Sequence, residues 1–217
     1  KMNHNGVLSF LKNRRSSKLA SLSAPAPSPD ELHDILTIAA RVPDHGKYHP
    51  WYFIVLKDQA RQDAGQMLRA SFEIENPDTV PAKLDLEAER FLRAPLVIAV
   101  VSRIREGKHP QWEQFLSSGA ACYNLCLAAN AMGYGSNWLT EWYSYSPIFK
   151  KLMGLDQQDH FAGFIYIGTT TEQNEERERP DLKKIVTYWS KDTISLNKGE
   201  GYGILKAGFP DSGVEPL

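Results

Sequence analysis

Cysteine is scarce in this sequence: Cys122 and Cys126 are the two in 217 residues. Four apart on one predicted helix, they read as buried core thiols rather than a disulfide framework, so a reduced, cytoplasmic protein is expected. Neither sign of charge dominates, with 25 Lys+Arg against 26 Asp+Glu. Nucleic acid and anionic membrane surfaces are therefore not expected partners. No run approaches the roughly 18–20 uncharged apolar residues of a spanning helix. The N-terminus lacks the apolar core and cleavage site of a signal peptide. Walker loops, His-Glu-x-x-His pairs and Cys/His quartets are missing, so no metal is predicted. Gly133-Tyr134-Gly135 follows a helix and precedes an extended stretch, whereas a dinucleotide loop needs strand, glycine turn, then helix. Ser117-Ser118-Gly119 lies inside a helix and is not a nucleophile elbow. No catalytic acid or base is predicted.

What is present is an ordinary globular composition, 42% hydrophobic and 24% charged, with helices and strands unevenly interspersed. That pattern predicts an α+β fold. Residues 5–13 place Val7, Leu8 and Leu11 on one helical face. Ser28-Pro29-Asp30-Glu31 is a capping box with proline at N1, opening a helix that ends near Arg41. Trp51–Leu56 reads as a strand buried on both faces, 58–75 as a helix, and Ala82–Leu92 as a charged helix. Leu96–Ser102 reads as a second central strand. Residues 111–132 form the longest helix, apolar nearly all round and suited to a core or an interface. Gly135–Thr140 is extended, Ser146-Pro147 starts a further helix, Phe161–Gly168 is a strand, and Ile185–Trp189 is a candidate edge strand. Residues 1–189 are read as one domain. Residues 190–217, rich in glycine, are read as an extension, loosely ordered or packing on a dimer.

Two stretches carry chemistry. Asn13-Arg14-Arg15-Ser16-Ser17-Lys18 puts three cations and two hydroxyls into six residues at a helix end, which suits a phosphate. Val42–Trp51 is dense in histidine and aromatic surface, which suits a flat heteroaromatic ring. Alone, the basic cluster reads more simply as solvated surface. Together the two point to a phosphorylated aromatic cofactor.

In order and spacing the chain resembles the FMN-dependent nitroreductase family, especially its minimal single-domain members. The resemblance rests on Arg14-Arg15-Ser16-Ser17-Lys18, Arg41-Val42-Pro43-Asp44-His45, Pro50-Trp51 and Trp112-Glu113-Gln114. It also covers the segments Gly133–Trp138 and Gly163–Gly168. It implies an α+β homodimer, with a mixed or antiparallel central sheet, a long interface helix and one FMN in each of two shared sites. Arg14, Arg15 and Ser16 would hold the phosphate, and Lys18 would face the N1/O2 edge of the ring. Arg41 and His45 would reach FMN from the partner chain, and Trp138, Leu139 and Thr140 would line the ring. Arg177 and Arg179 resemble a late basic pair at the phosphate. Ala128, Ala129, Asn130, Ala131, Met132 and Gly133 match the segment assigned to the nicotinamide donor. The sequence departs from many members by having Lys47-Tyr48-His49 before Pro50-Trp51 in place of Asn-x-Gln, which leaves His49 as the candidate ring contact there. The implied activity is NADH- or NADPH-dependent ping-pong hydride transfer through flavin N5. The acceptor would be nitroaromatic- or quinone-like, stacking under Tyr48 or Trp142. A flavin-consuming or dehalogenating enzyme of the same fold, and a non-catalytic FMN-binding protein, remain alternatives.

Overall fold

The computed structural model describes residues 4–172 and 174–200. Contacts divide the chain into two compact units, residues 1–174 and residues from 175 onwards.

The first unit is built on four strands: β1 (Trp51–Lys57), β2 (Leu96–Arg103), β3 (Gly135–Leu139) and β4 (Asp159–Gly168). They form one sheet in the order β1-β2-β4-β3, antiparallel at every pairing. β2 lies inside because its uncharged, β-branched run can be buried on both faces; Leu96 to Ser102 are all buried. Alternate side chains of the sheet feed two cores. Val97, Ala99, Val101, Phe164 and Tyr166 pack with Leu68, Phe91 and Phe149. Ile98, Val100, Ile165 and Ile167 pack with Ile35, Cys122 and Leu125.

β1 departs from its expected burial. It is an edge strand, and only Leu56 is fully buried; its apolar residues touch both cores at their margins. Between Val100 and Val101 the β2–β4 register slips, so that Gly163 pairs with Val100 and Phe161 with Val101. Ala162 is the extra residue of a bulge.

Among the described residues six α-helices belong to this unit: α1 (His4–Asn13), α2 (Pro29–Ala39), α3 (Gln59–Glu75), α4 (Pro81–Ala88), α5 (Gln111–Ala131) and α6 (Pro147–Leu152). The capping box of α2 forms as read, with Ser28 and Glu31 each accepting the other's backbone N–H. α5 ends in a Schellman arrangement: Gly133 is left-handed at φ 89°, a value suited to glycine, its N–H reaches Asn130 O (3.0 Å), and Tyr134 N–H reaches Ala129 O (2.9 Å). The single charged helix expected over 82–92 is two pieces, α4 and a 3-10 turn at Arg90–Arg93. α3 and α4 approach so closely that a Cβ on Gly65 would overlap the carbonyl of Ala88. Both cysteines are buried and free.

The second unit contains α7 (Leu182–Ile185), capped by Asp181, whose side chain accepts from Lys183 N–H (3.0 Å). The edge strand expected at Ile185–Trp189 does not form: Ile185 closes α7, and residues 186–200 contain neither helix nor strand. Of the extension expected from residue 190, positions 201–217 lie outside the described residues.

Candidate functional site

The basic cluster is built by the way the chain leaves α1. Arg14 N–H still reaches Phe10 O (2.9 Å), after which the backbone runs extended alongside β3. Ser17 N–H donates to Ser136 O (2.8 Å), and the Asn137 amide donates to Ser17 O (2.6 Å). This approach depends on Gly135, where a Cβ would stand 2.6 Å from Ser17 Oγ and 2.7 Å from Leu22. Ser17 is buried by the docking, Arg14 and Arg15 are half-buried, and Ser16 and Lys18 are exposed.

The Arg14 guanidinium sits 5.5 Å over the Tyr123 ring, and its buried Nε has no hydrogen-bond partner. A cation steadied by an aromatic face keeps its charge for an anion, where a carboxylate partner would have cancelled it. Arg14, Arg15, Asn13, Asn130 and Tyr134 line a cleft of about 620 Å³. The Lys18 ammonium makes no hydrogen bond or ion pair among the described residues.

Downstream on the same strand, Trp138 is 39% exposed and lies across β4. Its Nε1–H donates to Ala162 O (3.2 Å), and a Cβ on Gly163 would overlap the indole. Leu139 is half-buried and Thr140 exposed. The chain thus places cations and a flat apolar shelf at successive positions along β3. Of the two rings expected over an acceptor, Trp142 is turned inward. Its Nε1–H donates to Glu87 (2.8 Å), and its edge packs on Phe72 at 5.0 Å. Tyr48 is wedged against Gly107.

The stretch from Arg41 to His49 belongs to a different region of the chain. Asn124 holds the carbonyls of Ile38 and Arg41 (3.1 Å each). From there the loop follows α5 toward its N-terminus: Ser117 Oγ–H bonds Pro43 O, and His45 Nδ1 meets Glu113 (2.6 Å). His45 also faces His109 with ring centroids 3.5 Å apart. Tyr123, under Arg14, and Glu113, under His45, are ten residues apart on α5, about 15 Å at 1.5 Å per residue. Arg14 and His45 of one chain line separate clefts. His49 is exposed beside Trp51, and its conformation is unusual: Gly46, Lys47 and His49 have φ of 78°, 54° and 48°. The Asp44 carboxylate offsets that strain by accepting the N–H groups of Tyr48 (3.1 Å) and His49 (2.9 Å).

At the end of α5, Ala128 and Ala129 are buried, and the Asn130 amide is committed to Tyr134 O and Ser136 Oγ. Met132 is half-buried, so Ala131 and Gly133 are the members of that segment that face outwards. Arg177 and Arg179, in the second unit, are exposed, and Arg179 pairs with Glu176 at 3.0 Å. Tyr123 and Asn124 escaped the sequence reading. The available signal was an aromatic and an amide on an otherwise small-residue helix.

The family model described as the Nitroreductase family matches residues 11–169. This chain belongs to that family. A Haemophilus influenzae relative named "Putative NAD(P)H nitroreductase" is 38% identical over 186 residues, covering 84% of this chain and 98% of the relative. The Escherichia coli K12 nitroreductase relative YdjA is 34% identical over 185 residues, covering 84% and 99%. Among solved structures, a nitroreductase-like family protein from Bacillus cereus matches with TM-score 0.75 at 22% identity, covering 87% of this chain and 98% of that one. A Bacteroides fragilis nitroreductase solved with bound FMN matches with TM-score 0.63 at 18% identity, covering 85% and 98%. The sheet and helices described above are thus the nitroreductase-like α+β fold, and the family is one of oxidoreductases.

Proposed function

We propose that this chain is an NAD(P)H-dependent FMN oxidoreductase that reduces nitroaromatic- or quinone-like acceptors, working as a homodimer with FMN at the subunit interface. The observation that carries the reading is the row along β3: Arg14 without a carboxylate partner and Lys18 without an ion pair among the described residues, then the Trp138 shelf. Those residues fit FMN. Arg14, Arg15 and Ser16 would take the phosphate. Lys18 would oppose negative charge on the reduced ring. Trp138, Leu139 and Thr140 would line the ring, and the exposed Ala131–Gly133 end of α5 would meet the nicotinamide donor. Bound FMN supplies hydride exchange; the chain supplies binding, orientation and charge.

The second subunit is argued from reach. His45, held at Glu113, lies about 15 Å along α5 from the Tyr123 under its own chain's Arg14, so it, with Arg41 and His49, would complete the partner's site. The outer face of α5 supports this: Leu116 is 55% exposed, and a Cβ on Gly119 would meet nothing within 4 Å. Exposed Val7, Leu8 and Leu11 on α1 extend the apolar surface.

One observation favours a non-catalytic FMN-binding role. Asp44 occupies the Tyr48 and His49 N–H groups, which removes them as donors to a ring. Colour and reduction separate the two readings. Yellow protein bleached by NADH or NADPH without oxygen supports the reductase. Yellow protein that no nicotinamide reduces supports the binding role. Colourless protein that takes up no added FMN overturns both.

A further inference from the structure

A buried ionic network lies directly behind the ring-lining segment, and neither the phosphate grip nor the nicotinamide segment uses it. β3 ends its pairing at Leu139, opposite Phe164. Thr140 is exposed, and its side chain makes no hydrogen bond among the described residues. The next residue, Glu141, is the first firm anchor. Its carboxylate accepts from Arg90 Nη1 (2.9 Å), Arg93 Nη1 (3.1 Å), Arg93 Nη2 and the Tyr143 hydroxyl (2.9 Å). Arg93 continues to the Tyr166 hydroxyl (3.1 Å), which also meets that of Tyr143 (3.0 Å). Arg90 continues to Glu87, fully buried and held as well by Lys83 (2.6 Å) and Trp142 Nε1.

The network has two ends with different relations to the site. Glu87 ties the 3-10 turn to α4 and to the inward-facing Trp142. Glu141 ties the same turn to the residue following Thr140. A carboxylate that accepts four donors from two arginines and a tyrosine has little freedom, and its backbone is one residue from the ring-lining segment.

We propose that Glu141 is a positioning residue: through Arg90, Arg93 and Tyr143 it fixes the Trp138–Thr140 segment against the flavin. The inference rests on the reading that this segment lines FMN. The Glu87 end provides the comparison: it is the more deeply buried end and shares only Arg90 with the Glu141 carboxylate, which keeps its Arg93 and Tyr143 bonds when Glu87 is changed.

The test compares Glu141→Gln with Glu87→Gln, and the milder pair Tyr143→Phe with Lys83→Gln, which keeps the comparison open if the first pair folds poorly. Thermal stability, FMN affinity by fluorescence quenching, and the visible spectrum and midpoint potential of the bound flavin are measured for each. The expected result is a loss of FMN affinity of about tenfold or more and a shifted flavin spectrum and potential for Glu141→Gln, with a smaller change of the same kind for Tyr143→Phe. Glu87→Gln and Lys83→Gln should lower the melting temperature while leaving spectrum and potential as in the wild type. If both ends change the flavin alike, or neither does, the network is structural only and the positioning role is overturned. Absence of FMN binding by the wild-type protein would overturn the flavin reading itself, and this inference with it.

Discussion

Arg14 is steadied by the face of Tyr123, an arrangement that leaves its charge uncompensated. Removing the guanidinium in Arg14→Ala should cost about 1.5–3 kcal/mol of FMN binding, the range for hydrogen bonds to charged groups. An FMN titration that finds unchanged affinity would remove Arg14 from the site. Gly163 makes a second prediction at this scale. Because a Cβ there would overlap the Trp138 indole, Gly163→Ala should displace the shelf. Its expected signature is a changed flavin visible spectrum at saturating FMN, with much of the core left intact. Sequence showed that Arg14 to Lys18 were chemically suited to phosphate. It could not show that Ser17 docks on Ser136, because that contact joins residues far apart in the chain and depends on Gly135 lacking a side chain.

At the scale of elements, local signals were readable where local chemistry decides the outcome. The capping box at Ser28–Glu31 and the proline-led starts of α2 and α6 formed as expected, and α5 closes at the glycine that follows it; Pro81, outside the helix expected from Ala82, is the first residue of α4. Misreadings arose where a partner decides. Trp51–Leu56 has the composition of a central strand but holds an edge, since sheet order follows from distant pairing. Ile185–Trp189 has strand-like residues but no neighbouring strand, and the Asp181 cap draws Ile185 into a helix. The stretch Ala82–Leu92 reads as one charged helix, and its Glu87 faces inward, where it finds Arg90, Lys83 and Trp142.

That burial has a consequence in acid. Desolvation pushes the Glu87 carboxyl up, but hydrogen bonds from Arg90, Lys83 and Trp142 outweigh it and hold it at about 2, against an ordinary 4.5. Asp159 is likewise held low: burial opposes ionisation, while Arg103, the Asp156 N–H and Tyr52 favour it. Folded-state values below the unfolded ones mean that this stabilisation is complete above the ordinary carboxylate range and lost as pH falls through the folded values. The melting temperature should therefore drop between about pH 4.5 and 2, with a shallower drop in Glu87→Gln. Packing between α3 and α4 gives a prediction independent of charge. Gly65→Ala drives a methyl into the Ala88 carbonyl and should destabilise by about 1–3 kcal/mol through overpacking, measurable by urea unfolding.

For the whole molecule, the uncovered face of α5 sets the expectation. In the proposed dimer Leu116→Glu places a charge in the apolar contact between copies, so sedimentation should show a shift from dimer to monomer. FMN affinity should fall with it, although no residue proposed to touch FMN has changed. A dimer that persists with Glu at this position would place the interface elsewhere.

The 15 Å that separate the Tyr123 and Glu113 positions along α5 also make the protein open to complementation. A chain carrying Arg14→Ala still offers a sound His45 region, and a chain carrying His45→Ala still offers a sound Arg14. Neither variant alone can assemble a complete site. Mixed and allowed to exchange subunits, the two should form hybrids in which one site inherits both defects and the other inherits none. Random pairing makes half of the dimers hybrid, so roughly a quarter of all sites should recover under two-fold symmetry. In the proposed dimer, two preparations weakened in FMN binding would then regain tight sites on mixing, at a rate set by how fast the subunits exchange.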